Sequence, residues 1–143
     1  MERIKVQSTK KQYQIVDQYD NELGVVIIDL SDTNMVKRAD VAKENILAYI
    51  DEATKIADQE TDAKAIDMIT EIDTKIKEEL NKLFNYDVSS VVFADTNCLS
   101  TSKGVTAVEL FLEAISPVIE KEFEQETQAA SSRVSKYTER YHK

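Results

Sequence analysis

Few residues in this chain could carry out bond-making chemistry, and each can be tested against what its chemistry requires. The only histidine is His142 and the only cysteine is Cys98. A serine triad or a Cys–His dyad needs an imidazole fixed by a scaffold, and a penultimate residue is poorly placed for that. Glu139-Arg140-Tyr141-His142 spells the Glu-x-x-His step of di-iron bundles. Those sites need the step twice, together with two further inward-facing carboxylates. Asp58, Glu60 and Asp62 mimic the first ligands of a calcium loop, but Ala63 stands where the turn demands Gly and Ile69 where a bidentate Glu belongs. Gly24 and Gly104 lie too far apart to cradle a phosphate together. The carboxylates at Glu109, Glu113, Glu120, Glu122, Glu124 and Glu126 read as a solvated charged face, because nothing in their pattern buries one against another. The residues therefore predict no enzyme, no metal and no cofactor.

What remains is a pattern suited to binding. Arg133, Lys136, Arg140 and Lys143 follow one another at steps of three, four and three. A helix aligns them beside Val134, Tyr137 and Tyr141 as a basic edge flanking an aromatic face. Cations near a helix C-terminus also oppose its dipole, which is the competing structural reason for them. As a docking strip, the tyrosines and cations suit an acidic or amphipathic helix, since aromatic rings and Arg carry much interface energy. Phe111 and Val118 widen the apolar stripe of the preceding segment. The candidate partner-binding set is Arg133, Lys136, Tyr137, Arg140, Tyr141, Phe111 and Val118.

The positioning elements follow from size and periodicity. A chain of 143 residues suits one domain, expected over 1–125, with 126–143 as a helical extension or partly ordered tail. Two Gly, one Pro and 31% charged residues favour long helices. The fold class expected is mainly α with a small N-terminal β element, α+β. Ile4 and Val6 alternate with polar residues, as do Tyr13 and Ile15. Val25-Val26-Ile27-Ile28 reads as a strand buried on both faces, and Asp20 to Gly24 as the turn before it. These segments predict a β-hairpin or a three-stranded meander.

Ser31 or Asp32 can cap a helix over about residues 33–58, with Met35, Ala39, Ala42, Ile46, Tyr49, Ala53 and Ile56 on one stripe. Thr61 is a candidate cap for a second helix, whose stripe is Ile66, Ile69, Ile72, Ile76, Leu80 and Leu83. The two predict an antiparallel helical hairpin. Residues 84–103 read as a short turn of helix or strand followed by a loop. Thr106 and Glu109 then fit a capping box that opens a third helix. Its buried stripe is Val108, Leu112, Ile115, Ile119 and Phe123, and Pro117 predicts a bend or break near residues 114–117. The stripe runs on thinly through Thr127, Ala130, Val134, Tyr137 and Tyr141.

Composition also bounds location and partners. The net charge of −9 repels phosphate backbones and anionic lipid heads, which argues against nucleic-acid and membrane partners. A single cysteine excludes an internal disulfide and points to a reducing cytosol. Met1 to Val6 lacks the apolar core a signal peptide needs, and no uncharged stretch is long enough to span a bilayer, so the chain is expected to stay where it is made.

Several stretches in order resemble the tail assembly chaperones of long-tailed, siphophage-type bacteriophages and prophages. Asp32-Thr33-Asn34-Met35-Val36-Lys37-Arg38 follows an apolar strand, and Ile76 to Phe84 leads to a short Val91-Val92-Phe93 segment. Asn97, Leu99 and Ser100 are similar to the family's Asn-x-Leu-Ser step, and Val108 to Glu122 to its last helix. The likeness covers about residues 23–123. It departs at Phe84-Asn85 and Phe93-Ala94, where relatives usually carry Phe-Gly. The resemblance implies a non-enzymatic protein of the host bacterial cytoplasm, absent from the mature virion. Such a protein binds the tape measure protein, keeps it soluble and is displaced as tail tube protein polymerises. It supplies no binding residues at motif level, and self-association into a homo-oligomer stays open. The competing expectations are a virion structural tail component, such as a terminator or connector, and a small prophage helical adaptor.

Overall fold

A computed structural model describes residues 1–59 and 62–141, with side chains up to Lys136. The chain is mostly helical, with a small two-stranded antiparallel sheet near its N-terminus and a long helix at its end. Strand β1, Lys11–Val16, pairs with β2, Glu22–Ile28, from Lys11↔Ile28 to Ile15↔Gly24. The register slips between Ile15 and Val16. The hairpin alternative is therefore the one realised, and Ile4 and Val6 lie in no strand.

Two expectations for this hairpin need correction. Val26 and Ile28 are buried whereas Val25 and Ile27 are exposed, so the strand is covered on one face and not on both. Among the described residues, helices pack against the face that carries Val26 and Ile28. The reversal also sits earlier than expected, at Asp17 to Asn21. There the Asp17 carboxylate accepts the N–H groups of Tyr19 at 2.9 Å and Asn21 at 3.0 Å, and Asp20 adopts φ 63°. Gly24 falls inside β2 instead of in the turn. Its φ is 152°, and a Cβ there would lie 2.9 Å from Val91 Cγ1, so the residue lets the next helical segment pack closely.

Helix α1, Thr33–Gln59, starts at Asp32, whose side chain accepts the Asn34 N–H at 2.9 Å. Ser31 instead donates to Asp29. Helix α2, Ala63–Phe84, is capped by Asp62, which accepts the Ala65 N–H; Thr61, the expected cap, lies outside the described residues. The carboxylate three residues before Ala65 has the reach the cap requires. Met35, Ala42, Ile46 and Ala53 of α1 and Ile72, Ile76, Leu80 and Leu83 of α2 join one core. Full burial of a side chain such as Ile76 or Leu80 contributes about 1.5–3 kcal/mol. Ile66, expected in that stripe, is 63% exposed, because Ala65 takes the inward position at the start of α2.

The α2 end is closed from two sides. Asn85 takes the left-handed conformation at φ 52°, and Arg38 donates from Nε and Nη2 to the Leu83 carbonyl at 3.2 and 3.0 Å. The following segment forms α3, Val88–Val92, capped by Asp87, and ends at Phe93 and the left-handed Ala94. A miniature hairpin comes next, β3, Thr101–Ser102, with β4, Val105–Thr106, where a loop was expected. Lys103 and Gly104, both at positive φ, make its turn.

Helix α4, Ala107–Tyr141, begins with the expected capping box. Glu109 N–H donates to Thr106 Oγ1, and Thr106 N–H and Oγ1–H donate to Glu109 Oε1. Of the bend or break expected near residues 114–117, the break does not occur: the helix runs through Pro117. The reason is placement: Glu113, whose carbonyl loses its donor at Pro117, and Pro117 itself both lie on the exposed side, where water can satisfy that carbonyl. Val108 and Ile115 are buried, Leu112 and Ile119 half-buried, and Phe123 exposed. Residues 124–136 are exposed throughout. No helix among the described residues is long and apolar enough to cross a membrane.

Candidate partner-binding groove

The hairpin and the first half of α4 do not close completely on each other. Between them runs an open groove of about 770 Å³. Its walls are Tyr13, Ile15 and Leu23 from the hairpin and Leu110, Phe111 and Val118 from α4, with Val26, Ile28 and Ile115 at its base. The inward face of an alternating strand supplies one wall, and three- and four-residue steps on a helix supply the other. Among the described residues that line it, Asp17, at the reversal of the hairpin, is the one that is charged. The backbone N–H of Asn21 and, beside it, that of Tyr19 hold the Asp17 carboxyl below the usual range, although slight desolvation opposes them.

The two walls are tied together at their far end. Lys11 Nζ lies 2.7 Å from Glu122 and 3.2 Å from Glu126, which raises the Lys11 pKa above the ordinary lysine value. Burial, followed by the nearby Glu122 charge, also pushes the Tyr13 hydroxyl upward. On the other side, Phe111 meets Phe84 and Phe93 edge to face at centroid distances of 6.1 and 6.3 Å. That contact locks α4 onto the α2–α3 corner.

The candidate residues named from sequence divide into two groups. Phe111 and Val118 both line the groove, Phe111 mainly as a packing residue and Val118, 38% exposed, as an accessible one. Arg133 and Lys136 lie farther along α4, with Arg133 about 22 Å beyond Val118 at 1.5 Å per residue. The side chains of Tyr137, Arg140 and Tyr141 lie outside the described residues.

No family model, curated protein or solved structure matches this chain.

Sequence reasoning passed over Tyr13, Ile15, Leu23 and Leu110 as binding residues. The available signal was Leu110 beside Phe111 at the edge of the buried stripe, together with the inward alternation of the hairpin. A second, smaller cleft of about 350 Å³ lies between α1, the end of α2 and α4, and includes Leu47, Leu112 and Ile119 with Lys43, Glu109 and Glu113 on its rim.

Two buried polar contacts hold the frame. Asp73 accepts the Cys98 N–H at 2.8 Å and pairs with Lys77 at 3.1 Å, while Lys77 also donates to the Thr96 carbonyl at 2.9 Å. Burial first, and Asp73 next, push the Cys98 thiol far above its ordinary range, so it stays protonated. Asn97 accepts the Leu99 N–H at 2.9 Å, and Ala107 N–H reaches Ser100 carbonyl at 2.8 Å. The Asn97-x-Leu99-Ser100 step therefore shapes the entry to α4 and does not face the groove. Among the described residues, no cluster of three His, Cys, Asp or Glu side chains is placed to hold a metal.

Proposed function

We propose that this chain is a tail assembly chaperone that binds a tape measure protein, keeps it soluble during assembly of a phage tail and leaves as tail tube protein closes around it. The observation that carries this reading is the apolar groove between the hairpin and α4, an accessible channel with a single carboxylate along it. Such a channel accepts the apolar stripe of an amphipathic helix, and long helical clients present that stripe repeatedly. Many copies on one client would each need a modest apolar strip and an acidic, mutually tolerant exterior. A net charge of −9 supplies the second requirement.

The resemblance over about residues 23–123 adds support. At the two Phe-x steps where that family carries Gly, Asn85 and Ala94 adopt φ of 52° and 48°, the region glycine favours. The family-like stretches from Asp32 to Arg38 and from Asn97 to Ser100 serve caps and turns.

Co-expression with the very long tape-measure-like protein of the same phage or prophage tests the reading. The expected result is a soluble complex; a tape measure protein that pellets as it does alone would count decisively against it. Mass spectrometry of purified particles separates the virion-component alternative, since a chaperone is absent from them. Host cytoplasmic location belongs to the same proposal.

A further inference from the structure

Residues 1–8 carry the alternation of a half-buried strand, yet nothing among the described residues buries them. Ile4 is 92% and Val6 79% exposed, and both fall on one side of an extended backbone, with Arg3 and Lys5 on the other. At the same time β1 has one unused edge. It pairs with β2 on one side, and among the described residues no backbone hydrogen bond reaches it from another element on the other. A two-stranded sheet is marginal, and an open edge beside apolar side chains invites a further strand.

We propose that residues 1–8 of one copy form the third strand of a second copy's sheet, lying along the open edge of β1 with Ile4 and Val6 turned into the groove. The exchange is reciprocal, so that two copies close as a dimer. Charge favours a second copy as the occupant: Arg3 and Lys5 against Glu2 leave residues 1–8 net positive in a chain whose net charge is −9. Arg3 and Lys5 would then face solvent, as cations on edge strands commonly do. The same segment is poorly placed to serve its own chain. Thr9 donates to Asp29 at 2.5 Å, which ties the start of β1 to the β2 side of the sheet, opposite the open edge. A helical client and this strand compete for one groove. The dimer itself does not depend on the chaperone reading, because its assays contain no client.

Light scattering on the purified full chain is expected to give twice the 16.3 kDa protomer mass. Ile4→Asp combined with Val6→Asp should halve that mass and leave a protomer that still melts cooperatively, since both side chains are exposed in the protomer, while the stability that association adds is lost. A monomeric parent chain, or a dimer unaffected by the two substitutions, overturns the proposal. An Ile4→Cys chain mixed with a size-tagged Val118→Cys chain should form a disulfide-linked pair of unequal copies under mild oxidation, with the buried Cys98 taking no part. Failure of that cross-link, or a bridge closing within one chain when both cysteines are placed together, also overturns it.

Discussion

At the residue scale, backbone conformation makes the sharpest demands. Ala94 sits at φ 48°, a region in which a Cβ costs about 1–2 kcal/mol, whereas glycine loses about 0.5–1 kcal/mol in backbone freedom on folding. Ala94→Gly is therefore expected to stabilise the fold by about 0.5–1 kcal/mol in urea unfolding, the difference between those two terms. No change, or a loss, would mean that the left-handed turn is not held in solution. Three carboxyls carry pH dependence. Asn21 and Tyr19 N–H groups lower Asp17 and Ser90 lowers Asp87, while at Asp29 burial opposes the bonds from Thr9 and Ser31, which prevail. A carboxyl lowered in the folded state contributes stability that is complete above its unfolded pKa of about 3.9 and is lost as pH falls through the folded value. The stability gap between the parent chain and Asp87→Asn should thus be widest near neutrality and shrink below about pH 4 in urea titrations, given that unfolded value.

At the element scale, most of the architecture could be read from apolar spacing. The α1 and α2 stripes and the Thr106–Glu109 box all emerge from three- and four-residue steps and capping chemistry. Other features could not, because they depend on contacts between distant segments. Nothing in the local sequence tells Val25 from Val26, and only docking on the helices decides which of them is buried. Pro117 predicts a bend or break from covalent geometry alone, but its solvent-facing position removes much of the penalty of continuing the helix. Asp73, which no apolar spacing singles out, holds the Cys98 N–H and Lys77 across the α2–loop contact. Asp73→Ala should cost about 2–4 kcal/mol, since it strands a buried N–H and a half-buried ammonium. Chemical denaturation would show this, and a loss under about 0.5 kcal/mol, the range of ordinary surface substitutions, would return Asp73 to the surface class. By contrast, residues 124–136 are exposed. Removing Ser131 to Lys143 should leave cooperative melting intact, and loss of the cooperative transition would make that tail part of the core.

At the scale of the whole molecule, one property ties these details together: a rigid helical frame holds a small hairpin slightly apart from α4, leaving an apolar channel in an acidic exterior. The sequence revealed two of its lining residues, Phe111 and Val118, by helical spacing. It could not reveal the channel, which exists only once the hairpin lies across α4 and Lys11 meets Glu122 and Glu126. The central claim is that this channel holds a helical client. The most direct measurement compares how much tape measure protein stays in the soluble fraction when co-expressed with the parent chain and with Val118→Asp, which alters the channel wall and whose fold is checked by cooperative melting. A soluble client with the parent and a pelleted one with the variant is the predicted result; equal client solubility with both chains, or none with either, would contradict it.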